Sequence, residues 1–415
     1  MGKKRFRSVI RVLGFFLVLA LLRDVLANGR PLYCRIGGEA YFPGLRSIWA
    51  DKDLPYSAPA LRRIQQLPQT FEAWKDEKNY DESPVFALIP FSPGEYSRQN
   101  PASFLHPGQI HPGMSSRFRH WLGTDEGGHD VAAGIVSGAR IALMVSLLSM
   151  GIAGILGVLL GALAGFWGDY RLRIPWLTLS CTIISIPIAY FYAVIARQYE
   201  LENAASVSEW GKSLLIFVLI MLGVRQASKF ADKWLQTSLV TVPIDLLLMR
   251  LTEIFNAVPK LIFILIVAAL LPYNQNIWVL IALIGLLNWT DIALFVRSEL
   301  LRVRELDYVT AARAMGFSDR RTFWRHAFPN ALRPALVIFA FNMANAILLE
   351  AALSFLGFGG NTLRGISWGS LLESVRVQPG AWWVGIPSGL AIALTVMTIN
   401  NLGELLASKP ARSTT

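Results

Sequence analysis

Long apolar runs with few or no charged residues, separated by short basic loops, are the dominant pattern along the chain. The runs lie at residues 141–168, 174–196, 251–271, 277–295, 334–353 and 383–402. A helix needs about 20 apolar residues to cross the hydrocarbon core of a bilayer. The pattern therefore predicts an all-α polytopic membrane protein.

Two shorter runs complete the pattern. Residues 8–27 follow a basic N-terminus and lack a small-x-small cleavage site after them, so we expect an uncleaved first span and not a signal peptide. Residues 213–224 pair with 174–196 as a predicted hairpin, because an acidic link and basic flanks place its tip outside. This hairpin either crosses the membrane twice or only re-enters it without crossing.

Composition supports a membrane protein. Of the 415 residues, 53% are hydrophobic and only 16% are charged, which excludes an ordinary soluble protein. The formal net charge of +11 would suggest nucleic acid in a soluble chain, but here the basic residues lie beside apolar runs, where they set orientation. We therefore expect contact with membrane lipid and no nucleic-acid partner. Cys34 and Cys181 lie at different predicted depths, so no disulfide is expected.

The one long polar region, residues 28–138, is expected outside the membrane. Four histidines lie in its second half: His106, His111, His120 and His129. Their irregular spacing, without a nearby cysteine or a helical i, i+4 pair, argues against a metal site. In the run that follows, Gly157, Gly161 and Gly165 recur at every fourth residue, which predicts a seam for close helix packing.

A strongly charged segment, residues 305–330, lies between two apolar runs and has the pattern helix, turn, helix. Asp307 is expected to cap a first helix through Ala314, and Gly316 to stop it in the left-handed conformation. Ser318 or Asp319 is expected to start a second short helix that Pro329 ends.

The side chains of this segment suit contact with another protein. Ala311 and Ala312 are expected to leave a shallow face that a partner's groove can approach. Four arginines supply charge for an acidic rim: Arg313, Arg320, Arg321 and Arg325. A purely orienting role under the positive-inside rule would explain the arginines but not the spacing of the small residues and the glycine.

The spacing of Thr310-Ala311-Ala312, Gly316 and Phe328-Pro329 resembles the EAA loop of ABC importer permeases. Thr310 stands where the family has glutamate, and His326 where many members have an aliphatic residue. Two further motifs resemble the same family: LGTDEGGHD at 122–130, where His129 replaces an arginine, and SFLGFG with SWGSLL at 354–372. The chain is similar to the C-type inner-membrane permeases for dipeptides, oligopeptides and nickel, most of all to the Yej-type microcin and oligopeptide subgroup.

The resemblance implies a permease core of about six transmembrane helices that imports oligopeptides or peptide-like solutes with energy from ATP. The implied partners are a second permease subunit, cytosolic ABC ATPase subunits that bind ATP and magnesium, and an extracytoplasmic solute-binding protein, all at the bacterial inner membrane. The chain itself is expected to bind no cofactor and to be no enzyme. Gly211-Lys212-Ser213 lacks the upstream glycine and the strand of a phosphate loop.

The expected layout is an N-terminal anchor at 1–27, an extracytoplasmic segment at 28–138, a second core span at 139–169, an inserted helical hairpin at 170–245, a permease core at 246–405 with a cytoplasmic coupling loop at 297–333, and a cytoplasmic tail at 406–415. Residues expected to contact the ATPase lie in the loop: Thr310, Ala311, Ala312, Arg313, Gly316, Phe317, Arg320, Arg321, His326 and Pro329. Amide and hydroxyl side chains are expected to line the solute route: Asn288, Thr290, Asn342 and Asn345.

An ion-coupled secondary transporter is the alternative, with Lys260, Asp291 and Glu350 as its candidate coupling site. The simpler interpretation is that Lys260 snorkels, Asp291 lies near the inner end of its span and Glu350 approaches the outer interface. A membrane scaffold without transport is a third possibility, which the polar residues in the spans disfavour. Solute-stimulated ATP hydrolysis by a co-purified complex separates the three.

Overall fold

The computed structural model describes residues 2–46, 56–67, 70–96, 102–169, 173–202, 207–235, 237–270, 277–359 and 365–407. The predicted break at 272–276 and all but the first two residues of the predicted tail at 406–415 lie outside these residues. The chain divides into two compact units: Met1–Gly161 with Thr252–Thr415, and Ala162–Leu251.

The first unit begins with short elements. They are α1 (Gly2–Leu21), α2 (Arg23–Leu26), β1 (Cys34–Ile36), β2 (Glu39–Tyr41), α3 (Pro43–Arg46), α4 (Pro59–Gln65), α5 (Thr70–Ala73) and a 3₁₀ turn (Glu77–Asn79). β1 and β2 pair antiparallel, with Cys34 opposite Tyr41.

Long helices make up the rest of this unit. Two of them, α6 (Val131–Trp167) and α10 (Ile244–Asn256), belong partly to each unit. The others are α11 (Lys260–Leu270), α12 (Ile277–Val303), α13 (Asp307–Ala314), α14 (Asp319–Thr322), a π turn (Phe323–Ala327), α15 (Phe328–Phe355), α16 (Trp368–Val377) and α17 (Trp382–Ala407).

The second unit is a helical hairpin with a small ribbon at its base. Its elements are β3 (Arg173–Pro175), α7 (Trp176–Ala193), a 3₁₀ turn (Ile195–Arg197), α8 (Gln198–Glu202), α9 (Val207–Leu235) and β4 (Leu239–Thr241). β3 and β4 pair antiparallel. Gly211, Lys212 and Ser213 lie inside α9, so their backbone forms no phosphate-binding loop.

Six helices among the described residues are long and apolar enough to cross a membrane, or up to seven if the bent pair α10 and α11 forms one span. They are α6, α7 extended to Leu201, α9, α12, the helix Asp319–Phe355 and α17. The all-α polytopic fold is confirmed. α1 is not among them, because its first half carries five basic residues.

Several predicted boundaries are wrong. α1 ends at Leu21, before the predicted end of the first span at Ala27. α6 begins at Val131 and not at Ile141, because Asp130 Oδ1 accepts a hydrogen bond from the Ala133 amide at 2.7 Å and caps the helix. The predicted span at 251–271 is bent by 71° between α10 and α11, where Pro259 cannot supply a helical hydrogen bond.

The glycines of α6 form the seam that their spacing predicts. A Cβ atom on Gly157 would lie 2.7 Å from the carbonyl oxygen of Trp289 in α12. Gly285 of α12 is equally close to α6, since a Cβ there would lie 2.8 Å from the carbonyl oxygen of Ser149. The Ser149 hydroxyl donates to the Ile281 carbonyl oxygen at 3.0 Å. α6 and α12 therefore pack backbone to backbone.

The outer segment is joined to the start of α6 by a buried chain of polar side chains, here called the histidine chain (His111, His120 and Asp130). His111 Nδ1 lies 3.1 Å from His120 Nε2, and His120 Nδ1 lies 2.8 Å from Asp130 Oδ2. Each imidazole is 1% exposed. Among the described residues, no group of three or more His, Cys, Asp or Glu side chains is placed to hold a metal ion.

Both cysteines are free thiols. Cys34 is fully buried in the outer segment, and burial raises the pKa of its thiol to about 11. Cys181 is partly buried in α7.

Candidate coupling segment and polar residues of the spans

Residues 305–330, here called the coupling segment, fold as the predicted helix, turn and helix. Gly316 has a φ of +84°, which favours glycine. Its amide donates to Arg313 O at 2.9 Å, and the Phe317 amide donates to Ala312 O at 3.2 Å. These two bonds form a Schellman motif, which satisfies carbonyl groups left free at the end of α13.

The start of α13 differs from the prediction. Leu306, and not Asp307, occupies the N-cap position, and no side chain caps the helix. Asp307 lies in the first turn, where a carboxylate interacts favourably with the helix dipole. The predicted cap of the second helix is confirmed, because Ser318 Oγ accepts from the Arg321 amide.

The second helix does not end at Pro329. α14, the π turn and α15 form one helix from Asp319 to Phe355, and Pro329 lies in the first turn of α15. Within the continuous helix, Pro329 lies just after the π turn, where the backbone hydrogen-bond pattern already departs from that of an α-helix. The coupling segment therefore passes into the following span without a loop.

The exposed face of the segment differs from the expectation at one residue. Ala312 is 1% exposed and packs inside the chain. Thr310, Ala311 and Ala314 remain exposed, as does Met315, with 68% exposure. A partner can therefore approach a small-residue face that contains Ala311 but not Ala312.

Basic side chains surround an open cleft beside this face. The cleft has a volume of about 470 Å³ and is lined by Ser318, Arg320, Arg321, Trp324 and Arg325. The Arg321 guanidinium lies 4.5 Å from the centre of the Phe317 ring, which in turn stacks on His326 at 6.2 Å. Arg313 Nε is 3.6 Å from Asp319 Oδ1. An acidic partner surface would complement this cleft.

Two of the residues expected along a solute route are satisfied within the chain. Asn288 and Thr290 are fully buried in α12. Asn288 Nδ2 donates to Ile284 O at 2.8 Å, and Thr290 Oγ1 donates to Asn256 Oδ1 at 3.1 Å. Both side chains therefore hold helices together in the described structure.

The other two residues of the expected route lie on α15. Asn342 is 5% exposed, and its Nδ2 has no hydrogen-bond partner among the described residues. Asn345 is half-buried one turn further on. An amide nitrogen in such a place needs water, a solute or another chain.

Two of the three ionisable residues of the spans are placed otherwise than expected. Lys260 does not snorkel, since its Nζ lies 2.5 Å from Asp291 Oδ2. Asp291 lies in the middle of α12. Glu350, in the last turns of α15, is 2% exposed and accepts from the Ser354 hydroxyl at 2.7 Å. The ion pair was missed because its partners lie far apart in sequence.

The described residues thus combine helices long and apolar enough to span a membrane with an exposed basic helical segment between two of them. Residues 220–409 match the family model of the binding-protein-dependent transport system inner membrane component. This match agrees with the motifs at 122–130, 310–329 and 354–372, so the predicted resemblance to ABC importer permeases, the transport function and the multi-pass inner-membrane location are confirmed.

Individual relatives agree with the family match. The inner membrane ABC transporter permease protein YejE of Escherichia coli K12 is 27% identical over 402 residues, covering 94% of this chain and 89% of that protein. The dipeptide transport system permease protein DppC of Alkalihalophilus pseudofirmus is 28% identical over 323 residues, covering 77% and 78%. A putative peptide transport system permease protein of Brucella suis is 41% identical over 162 residues, covering 39% and 53%.

Proposed function

We propose that the chain is the C-type permease of an importer for oligopeptides or peptide-like solutes, driven by a cytosolic ATPase through the coupling segment. The observation that carries the proposal is that segment, an exposed basic helix-turn-helix whose turn is fixed by a Schellman motif and whose second arm continues into a span. The solute class is supported by relatives whose names specify peptide or dipeptide transport.

The family implies an ATPase and a binding protein as partners in general. We infer a particular set: a second permease subunit, one or more cytosolic ATPase chains that carry ATP and magnesium, and an extracytoplasmic solute-binding protein. The chain itself supplies no group for ATP hydrolysis in this proposal. Its part is to turn movement of the ATPase into movement of its own helices.

The proposed contact residues divide by role. Thr310 and Ala311 offer a small exposed surface, and Arg320 and Arg321 offer charge to an acidic rim. Ala312 is buried and Arg313, Phe317 and His326 are half-buried, so they shape the segment from within, whereas Pro329 is exposed near the start of α15. Gly316 sets the angle between its two arms.

Gly316→Val tests the coupling role. A β-branched residue at a positive φ is strained by about 1–3 kcal/mol, and relief of that strain tilts one arm of the segment against the other. We expect solute uptake per ATP hydrolysed to fall by at least about fivefold, measured in proteoliposomes with the purified complex. Gly108→Val is the matched control, because Gly108 has a φ of +80° and, like Gly316, open space around it.

Retention of normal solute-stimulated hydrolysis and uptake by Gly316→Val would show that the segment is not the coupling element. An equal loss in Gly108→Val would assign the effect to general instability.

The solute route is proposed to include Asn342 and Asn345. Many peptide sequences share amide groups, so neutral amide side chains can serve all of them. Replacing both by Leu is expected to leave assembly intact and to change the ranking of peptides in competition uptake assays. A pair that only joins helices would instead reduce the yield of assembled complex. Unchanged uptake of every tested peptide by an assembled double variant would contradict the assignment.

A further inference from the structure

The bend between α10 and α11 is fastened to one turn of α12. Before the bend, the rings of Phe255 and Trp289 meet edge to face at 5.6 Å, and Thr290 donates to Asn256 at 3.1 Å. After the bend, Lys260 Nζ lies 2.5 Å from Asp291 Oδ2 and 3.1 Å from Asn288 Oδ1. Both arms of the bent pair are thus tied to the same four residues, 288–291.

The attachment includes an ion pair, Lys260 with Asp291, between two apolar helices. Lys260 is the first residue of the apolar helix α11 and Asp291 lies in the middle of α12, with side chains 21% and 35% exposed. An ionised group in a span is costly unless it is paired, and removing one partner of a pair leaves the other charge uncompensated. The pair therefore resists separation far more than an exposed pair would.

The same turn of α12 lies between the bend and the coupling segment. α12 runs on as a helix to Val303, and α13 begins at Asp307. On its other side α12 packs backbone to backbone with α6. Movement of the coupling segment along α12 therefore reaches the bend directly.

We propose that Lys260 and Asp291 are positioning residues for transport, whose ion pair makes the bent pair α10 and α11 move with α12 as one body. This rests on the proposed coupling role of residues 305–330. The pair fixes geometry and stays closed through the cycle. An ion-coupling site, where Asp291 would exchange a proton or cation in each cycle, is the competing outcome.

Charge substitutions in the assembled complex test the proposal. Lys260→Met and Asp291→Asn are each expected to lower uptake per ATP about tenfold, because each leaves a lone charge. Lys260→Asp with Asp291→Lys restores a pair and is expected within about threefold of wild type. Lys260→Met combined with Asp291→Asn removes the lone charge but forms no ion pair, so this double variant is expected to assemble normally and to keep a reduced uptake per ATP. Arg35→Met with Glu82→Gln, which removes an exposed pair of the outer segment, is the control and should change little.

A distance measurement tests the single-body movement by itself. Spin labels at Val258 in the bend and Leu286 in α12, which are 40% and 45% exposed, can be attached after Cys181→Ser. We expect the same distance with and without trapped ATP in the wild type, and a broadened distribution in Lys260→Met. A change of more than about 5 Å between the two states of the wild type would overturn the proposal.

Two other results would also overturn it. One is a charge-swapped double variant, Lys260→Asp with Asp291→Lys, that is as inactive as the worse single variant in a complex that assembles normally. The other is loss of uptake when ion gradients are dissipated while ATP remains, which would assign ion coupling. Failure of the coupling role would appear as normal coupling in Gly316→Val. Failure of the single-body movement would appear as a changed label distance in the wild type. The two failures therefore give different results.

Discussion

The hydrogen bonds of the histidine chain determine which protonation state of His111 the folded outer segment accommodates. In the neutral tautomer in which His120 Nδ1 donates to the Asp130 carboxylate, His120 Nε2 accepts from His111 Nδ1. His111 Nε2 is left as an acceptor and has no partner among the described residues. Burial, then His120 and the Lys75 ammonium, lower the pKa of His111 to about 4. The neutral form of His111 is therefore the one that the folded segment accommodates.

This arrangement predicts a loss of stability in acid. The pKa of His111 is about 4 when folded and near 6.5 when unfolded, so the unfolded chain binds the proton more readily between these values. The contribution of neutral His111 to the free energy of unfolding is complete above pH 6.5 and is lost as the pH falls toward 4. Its size is up to about 3 kcal/mol, at 1.36 kcal/mol per pKa unit.

Hydrogen exchange of the Phe118 and His120 amides, measured in the whole complex between pH 7 and pH 4.5, checks this prediction after correction for intrinsic rates. The protection free energy is expected to fall with pH. His111→Phe should flatten this dependence, because phenylalanine can stack on Phe71 and Phe91 without titrating. His106→Gln is the control and should keep the slope. If His111→Phe leaves the pH dependence of the protection free energy unchanged, His111 is not the group that causes the loss of stability in acid.

At the scale of elements, the inserted hairpin has closely spaced ends. The Leu246 amide donates to Asp169 Oδ1 at 3.0 Å, so the residues that flank 170–245 are hydrogen-bonded to each other. Within the unit, Thr178 of α7 donates to Asp232 of α9, and Thr237, just after α9, donates to the same carboxylate. Arg197 bridges to Glu209 at 2.7 Å near the link. The hairpin thus supplies its own internal polar contacts.

An in-frame deletion of residues 170–245, closed by a short Gly-Ser linker, is therefore expected to assemble and to keep part of its ATP-dependent uptake. The reason is that Asp169 and Leu246 already lie side by side. Co-purification of the ATPase measures assembly, and uptake in proteoliposomes measures function. Complete loss of uptake by a normally assembled deletion variant would show that the hairpin is part of the mechanism.

Local patterns predicted local features well and distant contacts poorly. The glycine period gave the seam between α6 and α12, and Gly316 gave the turn, because both depend on residues close in sequence. Pro259 was a visible signal for the bend, but the apolar run around it suggested one straight span. Lys260 with Asp291, and the histidine chain, depend on folding that brings distant positions together, which periodicity does not encode. The continuous helix through Pro329 was missed because a proline inside a helical pattern usually ends the helix, and the π turn before it has no signal in the sequence.

For the whole molecule, the distribution of basic loops predicts opposite sides for the outer segment and the coupling segment. Asp76→Cys should react with a membrane-impermeant maleimide in intact spheroplasts, and Arg320→Cys only after permeabilisation. Both positions are exposed. Cys181→Ser is the suitable background, since Cys34 is buried and its pKa is raised to about 11. Labelling of both sites from the same side would end this topology.

The uninterrupted helix from Asp319 to Phe355 also has a mechanical consequence. Its 37 residues make a rod about 55 Å long, at 1.5 Å per residue. If the rod tilts by about 10° around its middle, each end moves by about 5 Å in opposite directions. The π turn and Pro334, where the hydrogen-bond ladder is irregular, both lie in the first half. A displacement of the helix at Arg320 therefore moves Phe355 in the opposite direction. The second half of the helix, which contains neither the π turn nor Pro334, moves as a stiff unit.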